Sequence, residues 1–254
     1  MKVYMFVDME GITGIYRTDH DPAYENQLQV SDVNAAVEGA LAGGASEVLV
    51  QIAHGRTQPF DLHPKASFLG KGQPFGLWGM DGSFACLLHV GCHARAGAWR
   101  GVLAHTVSGD VFELSLNNVV LGETGIFAAM AGQLGVPTAL VTGDDVTCQE
   151  ARELLGDIEV AEVKRGLAWD LAICLPVEET ARLIRTRAEA AVRRAKEIPP
   201  YRVQPPFVVR TVFNTWRGRG YVDHKVIGTL CRRLDERTLE VKSDNLAEAF
   251  ALSW

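Results

Sequence analysis

Two carboxylates two residues apart, Asp8 and Glu10, follow the apolar run 2–7 and are the first residues in the chain with the makings of a reactive site. If the strand carries through them, its period of two sets both acids on one face, beyond the carboxyl end of a strand where open α/β sheets keep their ligand crevice. His54 follows a second apolar run ending at Ala53, and His93 follows a third ending near Val90, so two imidazoles arrive at equivalent topological positions. Glu123, in Gly-Glu-Thr-Gly at the start of a helical pattern, is a third carboxylate, although a helix N-terminus also favours an anion without any metal. Borderline divalent metals take mixed imidazole and carboxylate shells. Three carboxylates and two histidines exceed one tetrahedral site and suit two ions sharing a bridging carboxylate, so a pair of zinc ions fits the set.

His105, in Leu-Ala-His-Thr, is open to three readings from its surroundings: a sixth ligand, a general acid or base, or a core histidine. His20, His63, His89 and His224 have weaker settings and read as structural or exposed. The five cysteines form no CxxC pair and are odd in number, which argues against a disulfide framework or a thiolate zinc knot. Only Cys92 lies near the chemistry.

The elements that must position these groups follow an alternating pattern. Apolar runs at 2–7, 47–53, 84–90 and 102–107 read as strands, with 111–121 a hairpin turning at Asn117 and Asn118. A helix over 32–41, capped by Ser31 and stopped by Gly43 and Gly44, is followed by helices at 122–134 and 146–155, the last capped by Asp144 or Asp145, with a strand at 137–142. A long helix at 177–197, strands at 207–213 and 238–241 and a terminal helix from Asn245 complete the pattern, with the Pro-rich stretch 198–206 as a linker.

The expected fold is therefore α/β, a mainly parallel sheet with covering helices. The division is expected at 1–157, holding the metal site, and 158–254. A hydrophobic fraction of 47%, 22% charged residues and a net charge of -6 describe an ordinary globular chain. Its 25 basic residues are dispersed, which argues against a nucleic-acid groove or an anionic membrane as partner. The start is too short and too acidic for a secretory signal and no apolar run spans a bilayer, so a cytoplasmic location is expected.

Five short motifs taken together resemble a known family. Val-Asp-Met-Glu-Gly-Ile-Thr-Gly at the start, Gly-Cys-His-Ala-Arg-Ala at 91–96, Gly-Val-Leu-Ala-His-Thr at 101–106, Gly-Glu-Thr-Gly at 122–125 and Thr-Gly-Asp-Asp at 142–145 are similar, in order and spacing, to those of the DppA-like zinc D-aminopeptidases, peptidase family M55. The resemblance implies a two-zinc aminopeptidase removing N-terminal D-amino acids from short peptides such as D-Ala-D-Ala. It implies Asp8, Glu10, His54, His93 and Glu123 as metal ligands, His105 as the catalytic histidine, a three-layer α/β/α domain with a mainly parallel sheet plus a smaller α+β domain with a role in oligomerisation or substrate access, and a ring-like homo-oligomer. Two departures bear on it. Gln51, Ile52 and Ala53 precede His54 where the family carries an Asp, removing a partner for the imidazole, and Phe127 stands where the family often has Asn, implying a more apolar substrate pocket. Competing expectations are an amidohydrolase acting on a non-peptide amide and a non-catalytic oligomeric scaffold that keeps a metal site.

Overall fold

The computed structural model describes residues 1–69, 76–215, 228 and 230–253. His224 lies outside the described residues.

The main sheet has seven strands in the order β3-β2-β1-β4-β7-β8-β9, formed by β1 (Lys2–Val7), β2 (Glu47–Ile52), β3 (Ala66–Leu69), β4 (Phe84–Cys92), β7 (Thr138–Asp144), β8 (Glu159–Ala168) and β9 (Leu171–Cys174). All its pairs are parallel except β8 with β9. Strand order runs outward in both directions from the β1/β4 pair, which makes the carboxyl ends of those two strands the switch point where such sheets bind ligands.

Alternate residues of β1 feed two different cores, as expected of a strand covered on both faces. Val3, Met5 and Val7 pack with Val33, Ala36 and Ala40 of α1 (Pro22–Ala42) and with Ile184, Ala188 and Ala191 of α4 (Val177–Arg194). Tyr4 and Phe6 pack instead with Phe127 and Ala131 of α2 (Glu123–Gln133), and α3 (Asp145–Leu155) lies beside α2 over β7 and β8. The α/β/α layering is thus as the resemblance implies.

A second, antiparallel sheet has the order β11-β12-β10-β5-β6, from β5 (Val111–Leu116), β6 (Val119–Val120), β10 (Phe207–Phe213), β11 (Cys231–Arg233) and β12 (Thr238–Ser243). The short helix α5 (Leu246–Ala251) packs on β10 and β12. Asn117 and Asn118 turn the β5–β6 hairpin with φ of 49° and 68°, the left-handed pair that a tight two-residue turn requires. Ile126 and Ala129 of α2 enter this second core while Phe127 and Ala131 enter the first, so α2 is buried between the two sheets.

Several elements depart from the sequence reading. Both sheets take strands from each side of residue 157: β5 and β6 come from before it, and β8 and β9 of the main sheet from after it. The first helix begins ten residues early because Asp21, not Ser31, caps it, accepting from the backbone N–H of Ala23 and Tyr24 with Pro22 at the first helical position. Residues 102–107 form no strand; Leu103 and Val107 have positive φ, and the segment is a buried loop. Its backbone is paired outward, Val102 N–H to the Asp144 carboxylate at 2.5 Å and Leu103 N–H to the Trp169 carbonyl at 2.7 Å. None of the helices among the described residues is long and apolar enough to cross a membrane.

Candidate metal centre

Asp8 is the first residue past β1, and Glu10 sits in the turn that follows, not on the strand. The two acids converge because the turn is pressed against the end of β4: Asp8 N–H donates to the Val90 carbonyl at 2.9 Å and Gly11 N–H to the Gly91 carbonyl at 2.8 Å. No side chain fits at this crossing. A Cβ on Gly11 would lie 1.8 Å from the Cys92 oxygen, and one on Gly91, whose φ is 76°, 2.5 Å from the Asp8 oxygen. This is the physical content of the glycines in the first two motifs.

Beneath the turn, the ammonium of Lys164, from β8, donates to the carbonyls of Glu10 at 2.5 Å, Ile12 at 2.9 Å and Ile15. Burial lowers its pKa from 10.5 to about 8. Asp32, also fully buried, accepts from Thr13 N–H at 2.8 Å, and burial raises its carboxyl to about 6.

The structure brings all six predicted site residues together. His54 places Nδ1 2.9 Å from Glu10 Oε1 and 3.6 Å from Asp8 Oδ1. His93 places Nε2 3.4 Å from Asp8 Oδ2 and 3.3 Å from Glu123 Oε1, and His105 Nε2 is 3.8 Å from the same Glu123 oxygen. The rings of His93 and His105 are stacked, centroids 3.9 Å apart and planes 10° from parallel. Potential ligand atoms of Asp8, Glu10 and His93, and of His93, His105 and Glu123, lie within 4.8 Å of one another.

Hydrogen bonding fixes the tautomers. His93 Nδ1 is 3.0 Å from the Ala94 carbonyl and His105 Nδ1 is 2.8 Å from the Leu103 carbonyl. A carbonyl only accepts, so in the neutral rings each Nδ1 carries the hydrogen and each Nε2 presents its lone pair to the acids. A buried lone pair facing carboxylates is repelled unless a cation stands between them, and His93 Nε2 is buried without a hydrogen-bond partner. That orphan atom, with carboxylate oxygens on two sides, is what a metal ligand needs. The pKa shifts express the same need for a positive charge between these groups. Burial by itself would raise Glu123 and lower His93, but their mutual attraction wins, dropping Glu123 to about 2 and lifting His93 well above its usual range. Hydrogen bonds to Asp8 and Glu10 raise His54 to about 10, and Glu10 ends below the usual carboxylate range although burial opposes this.

The remaining motifs hold the His105 loop. Asp144 accepts from Val102 N–H and caps α3 through Thr147 N–H at 2.7 Å, Glu123 accepts from Val107 N–H at 2.8 Å, and Thr106 Oγ1 accepts from Ala96 N–H at 3.0 Å. Thr-Gly-Asp-Asp and Gly-Val-Leu-Ala-His-Thr are thus one positioning device.

Both departures from the family pattern resolve physically. Gln51 is turned to Tyr4, Trp78 and Gly76, and Ile52 is in the core, so the Glu10 carboxylate orients the His54 ring. Phe127 is 1% exposed and packs on Phe6 and His89, so it lines no open substrate pocket. Cys92 is buried with its thiol pushed up in pKa, an unreactive setting. His89 is a core residue held neutral by burial, its pKa lowered to about 3. A cavity of about 720 Å³ lined by Trp78, Met130, Phe207, Leu246 and Phe250 shares no residue with the cluster.

Sequence reasoning missed Lys164 and Gln29, which support the site through backbone carbonyls, and Thr57, whose hydroxyl donates to the Gln29 side chain; none carries a signal of its own type or spacing.

Known proteins resemble this chain over most of its length. A curated D-aminopeptidase of Bacillus subtilis (strain 168) is 32% identical over 217 residues, covering 81% of this chain and 78% of the relative. The solved structure described as the Zn-dependent D-aminopeptidase DppA from Bacillus subtilis, a self-compartmentalizing protease, superposes with a TM-score of 0.92 at 26% identity, covering 99% of this chain and 95% of that one. The family model for peptidase M55, D-aminopeptidase, matches residues 1–254, and the chain belongs to that family.

Proposed function

We propose that the chain is a two-zinc aminopeptidase that hydrolyses the peptide bond after an N-terminal D-amino acid in short peptides such as D-Ala-D-Ala. The observation that supports the reading is the division of Asp8: one oxygen lies 3.6 Å from His54 Nδ1, which also meets Glu10, and the other lies 3.4 Å from His93 Nε2, which also meets Glu123. Asp8, Glu10, His54, His93 and Glu123 would together hold the metal, and their five side chains are enough for two ions.

Zinc bound there supplies Lewis-acid polarisation of the scissile carbonyl and a water acidic enough to be deprotonated near neutral pH. The chain's own residues do the rest. The Asp8, Glu10 and Glu123 carboxylates would provide the negative shell, and buried backbone contacts fix its shape. His105 has Nδ1–H anchored on the Leu103 carbonyl, so its Nε2 can take a proton from the attacking water and return it to the leaving amine. With 26% of its side chain exposed, against 1% for His93, it is the imidazole of the stacked pair that a substrate can reach.

Assembly into a ring-like homo-oligomer belongs to the same proposal. The relative's description as self-compartmentalizing supports it, as does the edge strand β9, where Leu171 and Ile173 are 53% and 55% exposed beside Trp169 at 52%. An exposed apolar sheet edge is what association covers.

Metal analysis of the purified protein, with hydrolysis assays on D-Ala-D-Ala and L-Ala-L-Ala, tests site, reaction and chirality together. The expected result is close to two zinc ions per chain and cleavage of the D-peptide alone. Absence of metal after reconstitution overturns the site, cleavage of the L-peptide alone overturns the chirality, and activity confined to non-peptide amides overturns the peptidase assignment.

A further inference from the structure

We propose that Gln29 is a positioning residue for the metal centre, fastening the ends of β1 and β2 at the spacing that lets Asp8 and His54 act on one site. The inference rests on the reading of Asp8 and His54 as metal ligands. Gln29 lies on α1, is fully buried, and reaches both strand ends: its Nε2 donates to the Asp8 carbonyl at 3.3 Å and to the His54 carbonyl at 2.7 Å. Two accepting carbonyls fix which end of the amide is nitrogen, and both of its hydrogens are used. The other end accepts from Thr57 Oγ1 at 2.7 Å, and Thr57 is itself 2% exposed.

The amide thus ties together the main chains of two proposed ligands that are 46 residues apart in sequence, through a third residue on a helix. The chain makes room for it. A Cβ at position 55 would fall 2.2 Å from Gln29 Oε1, and Gly55 adopts a φ of 129° that side chains avoid. Packing alone calls for no amide here, since Leu28, Val33 and Ala36 on the same helix fill the core with hydrocarbon. Burying a glutamine means ordering a flexible polar side chain, which is unfavourable unless every polar atom is satisfied. Its three hydrogen bonds satisfy all of them, and two end on ligand residues. His54 needs such an anchor most: 58% of its side chain is exposed, so its backbone, and the Glu10 carboxylate at its ring, must define where Nδ1 points.

The test is Gln29→Met, which keeps length and volume and removes the hydrogen bonds. Zinc affinity of the metal-depleted full chain is measured by chelator competition, alongside the melting temperature with and without zinc. The expected result is zinc binding weaker by about ten- to hundredfold, the usual effect of losing an outer partner of a ligand, with a smaller zinc-induced rise in melting temperature. Combined with His54→Ala, the loss should fall short of the product of the two single losses, because both act through one ligand. A folded Gln29→Met protein binding zinc within about twofold of the parent overturns the inference, as do multiplicative losses. If Gln29→Met does not fold, Thr57→Val decides: weakened zinc binding supports the role, unchanged binding overturns it. A parent chain that takes up no zinc overturns the metal centre itself, and this inference with it.

Discussion

Replacing Lys164 with methionine tests whether the turn carrying Glu10 is held from beneath. In the parent, burial brings the ammonium from 10.5 to about 8, so keeping it charged in the interior costs about 3 kcal/mol, a penalty that methionine removes. Against this, the carbonyls of Glu10, Ile12 and Ile15 lose a charged donor. Hydrogen bonds from charged groups contribute about 1.5–3 kcal/mol each, and the abandoned oxygens have no water to turn to. The hydrogen-bond loss wins. Lys164→Met should lower stability by about 2–5 kcal/mol, which for a chain of this size is a fall in melting temperature on the order of 10 °C.

Sign and pH range follow from the depressed pKa. This lysine's contribution is fully present above 10.5 and is lost as pH falls through about 8, so the parent gains stability between those values and the variant shows no such rise. Urea unfolding followed by circular dichroism at pH 7 and pH 10 measures both effects. A variant as stable as the parent at pH 7 would refute the argument that the carbonyls depend on the ammonium.

Asp8→Ala, His93→Ala or Glu123→Ala should lose metal and activity together, since each removes a proposed ligand; full activity in any of them excludes that residue from the centre. His105→Ala should retain metal and fold while turnover falls by on the order of a hundredfold or more; loss of metal would make it a ligand instead, and unchanged turnover a structural histidine. Asp32, raised from 3.8 to about 6 by burial, contributes stability that is complete below 3.8 and lost as pH rises through about 6. In Asp32→Asn that fall, about 3 kcal/mol in the parent, should be absent from denaturation curves recorded between pH 4 and pH 7, and a fall of equal size would show that another group causes it.

The layered fold was legible because β1, β2, β4 and β7 are short apolar runs with polar residues and glycine at their ends, and such runs have few alternatives to a buried parallel strand. The candidate site residues were legible for a related reason, as polar groups placed where those runs stop. Asp8 and Glu10 come together through a turn folded against Gly91, not through strand alternation. Residues 102–107 read as a strand because burial makes a loop as apolar as a strand, and only its positive-φ residues and distant hydrogen-bond partners distinguish it. Lys164 and Gln29 were invisible. A lysine within a charged alternating stretch or a glutamine on a helix normally faces water, and nothing local reports the carbonyls each one serves.

The sharing of α2 between two sheets makes the proposed zinc site a reporter of late folding. Asp8, Glu10, His54, His93 and Glu123 have all been synthesised by the time α2 is complete, yet the helix presenting Glu123 is seated partly on β10 and β12, which come last. A nascent chain therefore carries every proposed ligand before the strands that help to seat α2 exist, and a fragment ending before β10 is expected to bind zinc more weakly than the full chain.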